Sequence, residues 1–187
     1  MARGMLVPAR MRAGLVAALL LGTSSAASAG GYLGLGVGTA PATSGDMSFA
    51  EDGRSGRLQI GYRFGRLAVE GLGSRYDLIR NDGHLYTGTT LAVAGKYNHE
   101  LGDKFEAFGR AGLQRTSLDV ETSNEPFDGN GWLIGGGFEY RVNLGVVGGA
   151  IFVDYTIART GLKSDLRGDM EFGMTSRTWT LGATVAF

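Results

Sequence analysis

The chain has 187 residues, with 18 lysines and arginines against 18 aspartates and glutamates, 33 glycines and no cysteine. Balanced charge removes the strongly basic footprint of a nucleic-acid-binding protein. The absence of cysteine excludes a disulfide framework and a lipid-modified N-terminal cysteine.

The first segment, MARGMLVPARMRAGLVAALLLGTSSAASAG, opens with Arg3, Arg10 and Arg12. An apolar run from Ala13 to Leu21 follows, and then the small residues Ala27, Ser28 and Ala29. Basic, apolar, then small is the order of a secretory signal peptide, predicted here over residues 1–29. The apolar run is well short of the ~20 residues that a spanning helix needs. Met11 is a second candidate start, because MRAGLVAALLLG carries the signal alone. Residues 30–187 then form one domain of 158 residues with net charge −3.

The next stretch, GYLGLGVGT, has glycine at Gly34, Gly36 and Gly38. A dinucleotide fingerprint needs G-x-G-x-x-G between a strand and a helix. Here the spacing is G-x-G-x-G, and no amphipathic helix follows. The stretch instead predicts a strand, with Leu33, Leu35 and Val37 on one face. Its glycines face inward and leave room for long interior side chains, the arginines above all.

Alternation with period two continues to the end of the chain. A second run carries Leu58, Ile60, Tyr62 and Phe64, and a third Leu67 and Val69, with Gly71 and Gly73 on the same face. A fourth has Leu91, Val93 and Tyr97; a fifth has Phe105, Ala107, Ala111 and Leu113. The sixth holds Trp132, Ile134, Phe138, Tyr140 and Val142, and the seventh Ile151, Val153, Tyr155 and Ile157. The eighth is Trp179, Leu181, Ala183, Val185 and Phe187. All the charges of these runs fall on the opposite face: Arg57, Arg63, Glu70, Lys96, Glu106, Arg110, Glu139, Arg141 and Asp154.

A soluble sandwich alternates too. Three further features point to the inverted arrangement, with the apolar face toward lipid. Connections alternate between tight, as at Gly65-Arg66, and long, as over residues 39–56, 115–130 and 159–176; this is the pattern of outer-membrane barrels. Aromatics sort into two girdles, Tyr62, Phe64, Tyr97, Phe105, Tyr140 and Phe187 at the short-turn end, and Trp132, Tyr155 and Trp179 at the long-loop end. The final run, RTWTLGATVAF, alternates to the terminal Phe187. Trp179, Leu181, Val185 and Phe187 resemble the C-terminal signal read by the barrel-assembly machinery of bacterial outer membranes.

Residues 30–187 thus resemble the small outer-membrane barrels of the OmpA transmembrane-domain and opacity-protein type, with GWLIGGGFEYRVN and RLQIGYRFGRLAVEG as strand–turn segments. The resemblance implies an all-β fold: an eight-stranded antiparallel up-and-down transmembrane β-barrel preceded by a cleaved signal peptide. It also implies the outer membrane of a Gram-negative bacterium, with both termini periplasmic. A barrel of eight strands is just wide enough to be filled by side chains. The nine charges are therefore expected to form a plugged, ion-paired interior, since isolated buried charges are costly.

No residue constellation for chemistry emerges. His84, near Asp82 and Asp77, and His99 fall at opposite ends of the predicted barrel, too far apart to share a metal. Neither stands in H-E-x-x-H spacing. No catalytic, cofactor or metal-binding residue is predicted. The outer loops hold twelve acids (Asp46, Glu51, Asp52, Asp77, Asp82, Asp119, Glu121, Glu125, Asp128, Asp165, Asp169 and Glu171) and eight bases (Arg54, Arg75, Arg80, Arg115, Arg159, Lys163, Arg167 and Arg177). None of these follows a calcium-loop spacing, and Arg177 is placed at the lipid rim near anionic head groups.

The expected function is that of a non-enzymatic, monomeric outer-membrane protein whose loops meet the envelope or environment. Expected partners are outer-membrane lipid and lipopolysaccharide, the barrel-assembly machinery during biogenesis, and a surface partner of unknown identity. Nucleic acid is not among them, and no cofactor is expected. The alternative is a narrow channel or conduit, for which Leu72, Phe108, Leu133 and Phe152 would supply an apolar inner wall. A lipid A-modifying barrel enzyme is the third reading.

Overall fold

A computed structural model describes residues 29–46, 53–79, 85–120, 123–143, 148–164 and 171–187. The predicted signal peptide up to Ser28, and His84 with Asp82, lie outside the described residues. The described chain is strand almost throughout: β1 (Ala29–Thr39), β2 (Ala42–Gly45), β3 (Arg54–Phe64), β4 (Leu67–Ile79), β5 (Leu85–Glu100), β6 (Phe105–Val120), β7 (Ser123–Asn143), β8 (Gly148–Ser164) and β9 (Glu171–Ala186).

β1 pairs antiparallel with β3, each strand from β3 to β8 pairs antiparallel with the next, and β9 pairs back onto both β1 and β2, so the sheet closes. The barrel has eight walls, because β1 and β2 are two pieces of one strand. Gly38 faces Thr180, but Ala42 faces Arg177. Four steps on one strand thus match three on the other, which is a β-bulge. Pro41 sits at the break, where its missing N–H costs no ladder bond. The Thr39 hydroxyl accepts from the Trp179 N–H at 3.3 Å and partly bridges the gap.

The register determines the shape. A path across the strands from Gly34 runs through Gln59, Leu72, Ala92, Gln114, Gly131, Thr160 and Met174 and returns to the first strand at Gly45. The bulge contributes one residue of that offset, and the remaining stagger tilts the strands by about 40°. At the turn end, Gly65 has φ +63° in the two-residue connection of β3 to β4, as a primed hairpin turn requires. The Phe187 N–H donates to the Gly31 carbonyl at 2.9 Å. A Cβ on Gly31 would lie 2.7 Å from the Phe187 ring, so glycine there lets that ring lie against the closing seam.

Alternation sorts the side chains. Leu35, Val37 and Leu113 are 69–73% exposed on the outside, whereas Glu70 and Asp154 are 0% exposed inside. A band of exposed Leu, Val, Ile and aromatic residues encircles the barrel, far beyond the apolar patch a water-soluble monomer tolerates. Lipid covers that band, and closure leaves no unpaired edge within it. Tyr62–Phe64, Phe105–Tyr140 and Tyr155–Trp179 stack along it with ring centroids 4.7–4.9 Å apart.

The structure differs from the sequence expectation in the length of the strands. Much of what reads as long loop is strand. β4 runs to Ile79, β6 to Val120, and β8 and β9 extend to Ser164 and from Glu171. The barrel therefore continues beyond its apolar band at the loop end, because backbone pairing continues after the lipid-facing residues turn polar.

Candidate functional site

The lumen is the candidate site, and it changes character along its axis. At the turn end, Arg63 from β3 grips Glu106 from β6 with both guanidinium Nη atoms, at 2.9 and 2.7 Å. Arg141 from β7 donates to the same carboxylate and, at 3.0 Å, to Glu100. Glu106 is thus held from two sides, while Arg63 and Arg141 keep partial contact with water.

Above this lies a second, fully enclosed group. Arg57 Nη1 donates to both oxygens of Asp154, at 3.0 and 2.7 Å. Arg110 Nη2 approaches Asp154 Oδ2 at 3.1 Å, and its Nη1 lies 3.4 Å from Glu70 Oε2. Lys96 Nζ lies 3.5 Å from Glu70 Oε1 and 2.5 Å from Glu139 Oε1. The result is a line of alternating sign: Arg57, Asp154, Arg110, Glu70, Lys96, Glu139. Each interior charge touches one of opposite sign, which offsets the cost of removing it from water. The Tyr32 hydroxyl donates to Glu70 at 2.5 Å. Phe108 lies under both Lys96 and Arg110, 4.2 and 4.9 Å from its ring centroid, in cation–π geometry.

A cavity of about 60 Å³ follows, lined by Arg57, Ser74, Thr90, Gln114, Leu133 and Thr178 among others. Its size suits a few waters. Thr90 and Thr116 hydroxyls lie 3.1 Å apart, and Gln114 donates to Thr160 at 2.8 Å. Beyond the cavity the lumen turns apolar. Tyr76, Leu78, Tyr86, Leu118, Leu162 and Met174 form a buried cluster with Ala40, and Phe127 and Phe172 pack against it. These residues cap the loop end from inside.

All nine charged residues singled out in the sequence lie in the lumen, in these two groups. Of the four apolar candidates for a conduit wall, Leu72 and Leu133 pack in a cluster with Ala92, Ala94 and Ala158. Phe108 is taken up by the two cations, and Phe152 is 1% exposed. The inward glycines of β1 do not make space for arginine. A Cβ at Gly34 would collide with Gln59 and Thr184, and one at Gly36 with the Thr180 methyl at 2.7 Å and the Phe152 ring at 3.3 Å. That corrects the sequence reading, which assigned the space to the wrong side chains. Trp179, Leu181, Val185 and Phe187 line the outer face of the last strand, exposed to lipid.

The sequence reading missed Tyr32 and the whole apolar cap. The cap was legible in principle: Leu72, Ser74, Tyr76 and Leu78 share one parity, as do Thr116 with Leu118 and Thr160 with Leu162. Those continuations were assigned to loops. Among the described residues, no group of three histidines or carboxylates gathers as a metal site.

Residues 13–187 match the sequence family described as outer membrane protein beta-barrel domain. Among solved structures, Neisserial surface protein A (NspA) superposes with a TM-score of 0.63 at 20% identity, covering 86% of this chain and 98% of that one. The attachment invasion locus protein Ail of Yersinia pestis superposes with a TM-score of 0.55 at 15% identity, covering 86% and 99%. No curated protein sequence gives a match.

Proposed function

This chain belongs to the outer membrane protein beta-barrel family, and from that premise we propose that it is a non-enzymatic, non-conducting barrel whose loop end serves the envelope or its surroundings. The observation that carries the reading is the double closure of the lumen. The alternating line from Arg57 to Glu139 fills the membrane-level interior, and the Leu118–Leu162–Met174 cluster caps the loop end. A conduit needs a continuous polar or apolar path, and the described lumen alternates between the two with only a small cavity between them. A wall built of paired charges supports a structural role for these nine residues rather than a titrating catalytic one.

Ala29 and Phe187, the two ends of the described barrel, lie at the turn end, which faces the periplasm in this reading because short connections are periplasmic in such barrels. The lipid-facing residues of β9, ending at Phe187, would be read by the assembly machinery before the seam with β1 closes. A closed sheet without free edges supports a monomer. The partners in this reading are outer-membrane lipid and lipopolysaccharide around the wall, and a surface component at the loops.

Planar-bilayer recording tests the plug. The wild-type protein is expected to show no reproducible unit conductance. Steady channels that change when Arg57 or Asp154 is replaced would overturn the reading in favour of a channel. For the enzyme alternative, a lipid A mass profile that differs between cells with and without the protein would do the same.

A further inference from the structure

The outer wall carries a feature that the lumen does not explain. Arg54, Arg75, Arg115, Arg159 and Arg177 stand on five different strands, and all five are exposed. Each lies two residues toward the loop end from the last apolar or glycine position of its lipid-facing row: Gly56, Gly73, Leu113, Ile157 and Trp179. The arginines therefore follow the rim of the apolar band around the barrel. On the three remaining walls the same position is Thr39, Thr89 or Asn130, all exposed. Cross-strand register joins them into one belt, with Thr39 opposite Arg54, Thr89 opposite Arg75 and Asn130 opposite Arg115.

Among the described residues, no acid occupies these eight positions, and Asp77 and Asp128 stand one step further out on their strands. Asp77 accepts from Thr87 at 3.3 Å. Asp128 accepts from Ser117 and lies 3.6 Å from Arg115, with both partners largely in solvent, so this ion pair is weak. Above Arg115 and Asn130 opens a surface groove of about 240 Å³, bounded also by Asp128, Gly129, Gly161 and Lys163, so that two bases face one acid across it. The opposite rim is mixed in sign, with Arg66, His99, Asp103 and Lys104 all exposed.

We propose that this belt binds the phosphate groups of a phosphorylated glycolipid in the outer leaflet, whose acyl chains lie against the apolar band. The planar guanidinium presents two donors to a phosphate and is the side chain best matched to it. Its position one layer beyond the hydrocarbon edge is where lipid phosphates sit, and only one rim carries it. The proposal rests on the outer-membrane placement above and orients the loop end toward the phosphate-bearing leaflet. The groove at Arg115 takes one such headgroup, with Asn130 donating to it.

The test is native mass spectrometry of the folded protein in micelles titrated with lipid A bearing two, one or no phosphates. Diphosphorylated lipid A is expected to bind about tenfold or more above the dephosphorylated form, and salt should narrow that gap. Successive Arg75→Gln, Arg115→Gln, Arg159→Gln and Arg177→Gln changes should each lower the preference by about twofold, so that the fourfold variant has none. Equal binding of all three wild-type lipid series, which needs no variant to fold, overturns the belt. So does a preference that survives in the fourfold variant, or one that vanishes with a chelator and thus belongs to bridging divalent cations. A folded, non-conducting barrel without phosphate preference overturns the belt alone. A conducting barrel that keeps the preference overturns the plug alone.

Discussion

The lumen at membrane level and the lumen at the loop end are built by opposite chemistry on the same strands. Below, Glu70, Lys96, Arg110 and Asp154 are fully enclosed and ion-paired. Above, Leu78, Leu118 and Leu162 are equally enclosed and apolar. The outer wall follows the reverse order, apolar below and arginine-rich above. Where lipid covers the outside, the hydrophobic effect acts on the wall, and the interior is free to be polar provided its charges pair. Where the wall emerges into water, the outside must be polar, and burying apolar side chains inside again stabilises the sheet. The barrel is therefore inside-out at one level and conventional at the next.

Variants can break this contrast from either side. The largest effect is expected from Glu70→Leu. It leaves Lys96 and Arg110 facing each other without their shared carboxylate, a loss of about 3–5 kcal/mol. Urea unfolding followed by heat-modifiable gel migration reads it, and unchanged stability would mean that the ion line is incidental. Leu118→Ala removes apolar contacts at the other level and is expected to cost about 2–3 kcal/mol, the lower part of the range for buried leucine because the site borders water. Its signature is local. Amide exchange should rise at the loop ends of β6 to β8 and stay unchanged around Asp154. Uniform exchange through both levels would show that cap and plug unfold as one unit, against the separation drawn here.

A smaller effect, about 1–3 kcal/mol, is expected for Gly36→Leu, which crowds Thr180 and Phe152 near the seam of β1 and β9. Reduced folding yield into vesicles measures it. A yield equal to wild type would imply that the seam has slack the close contacts do not suggest.

The outward row and the inward charges were readable because a strand's side-chain period is local. Leu58, Ile60 and Tyr62 must share a face if Arg57, Gln59 and Arg63 share the other. The same rule extended through Tyr76 and Leu78, or Thr160 and Leu162, yet there the composition shifted to polar and turn-prone residues and suggested loops. Backbone pairing continued past that shift because neighbouring strands were already in register, which no single segment reveals. Likewise Pro41 signals a break, but only the partner strand shows that the break is a bulge and not a loop.

The sequence by itself determined an all-β chain with apolar residues on one face of its strands and balanced charges on the other, since alternation and composition are properties of neighbouring residues. The tertiary structure alone decided who meets whom. Arg57 finds Asp154 across 97 residues, and Lys96 finds Glu139 across 43. Closure and strand stagger bring them together, and both depend on every pairing around the ring at once.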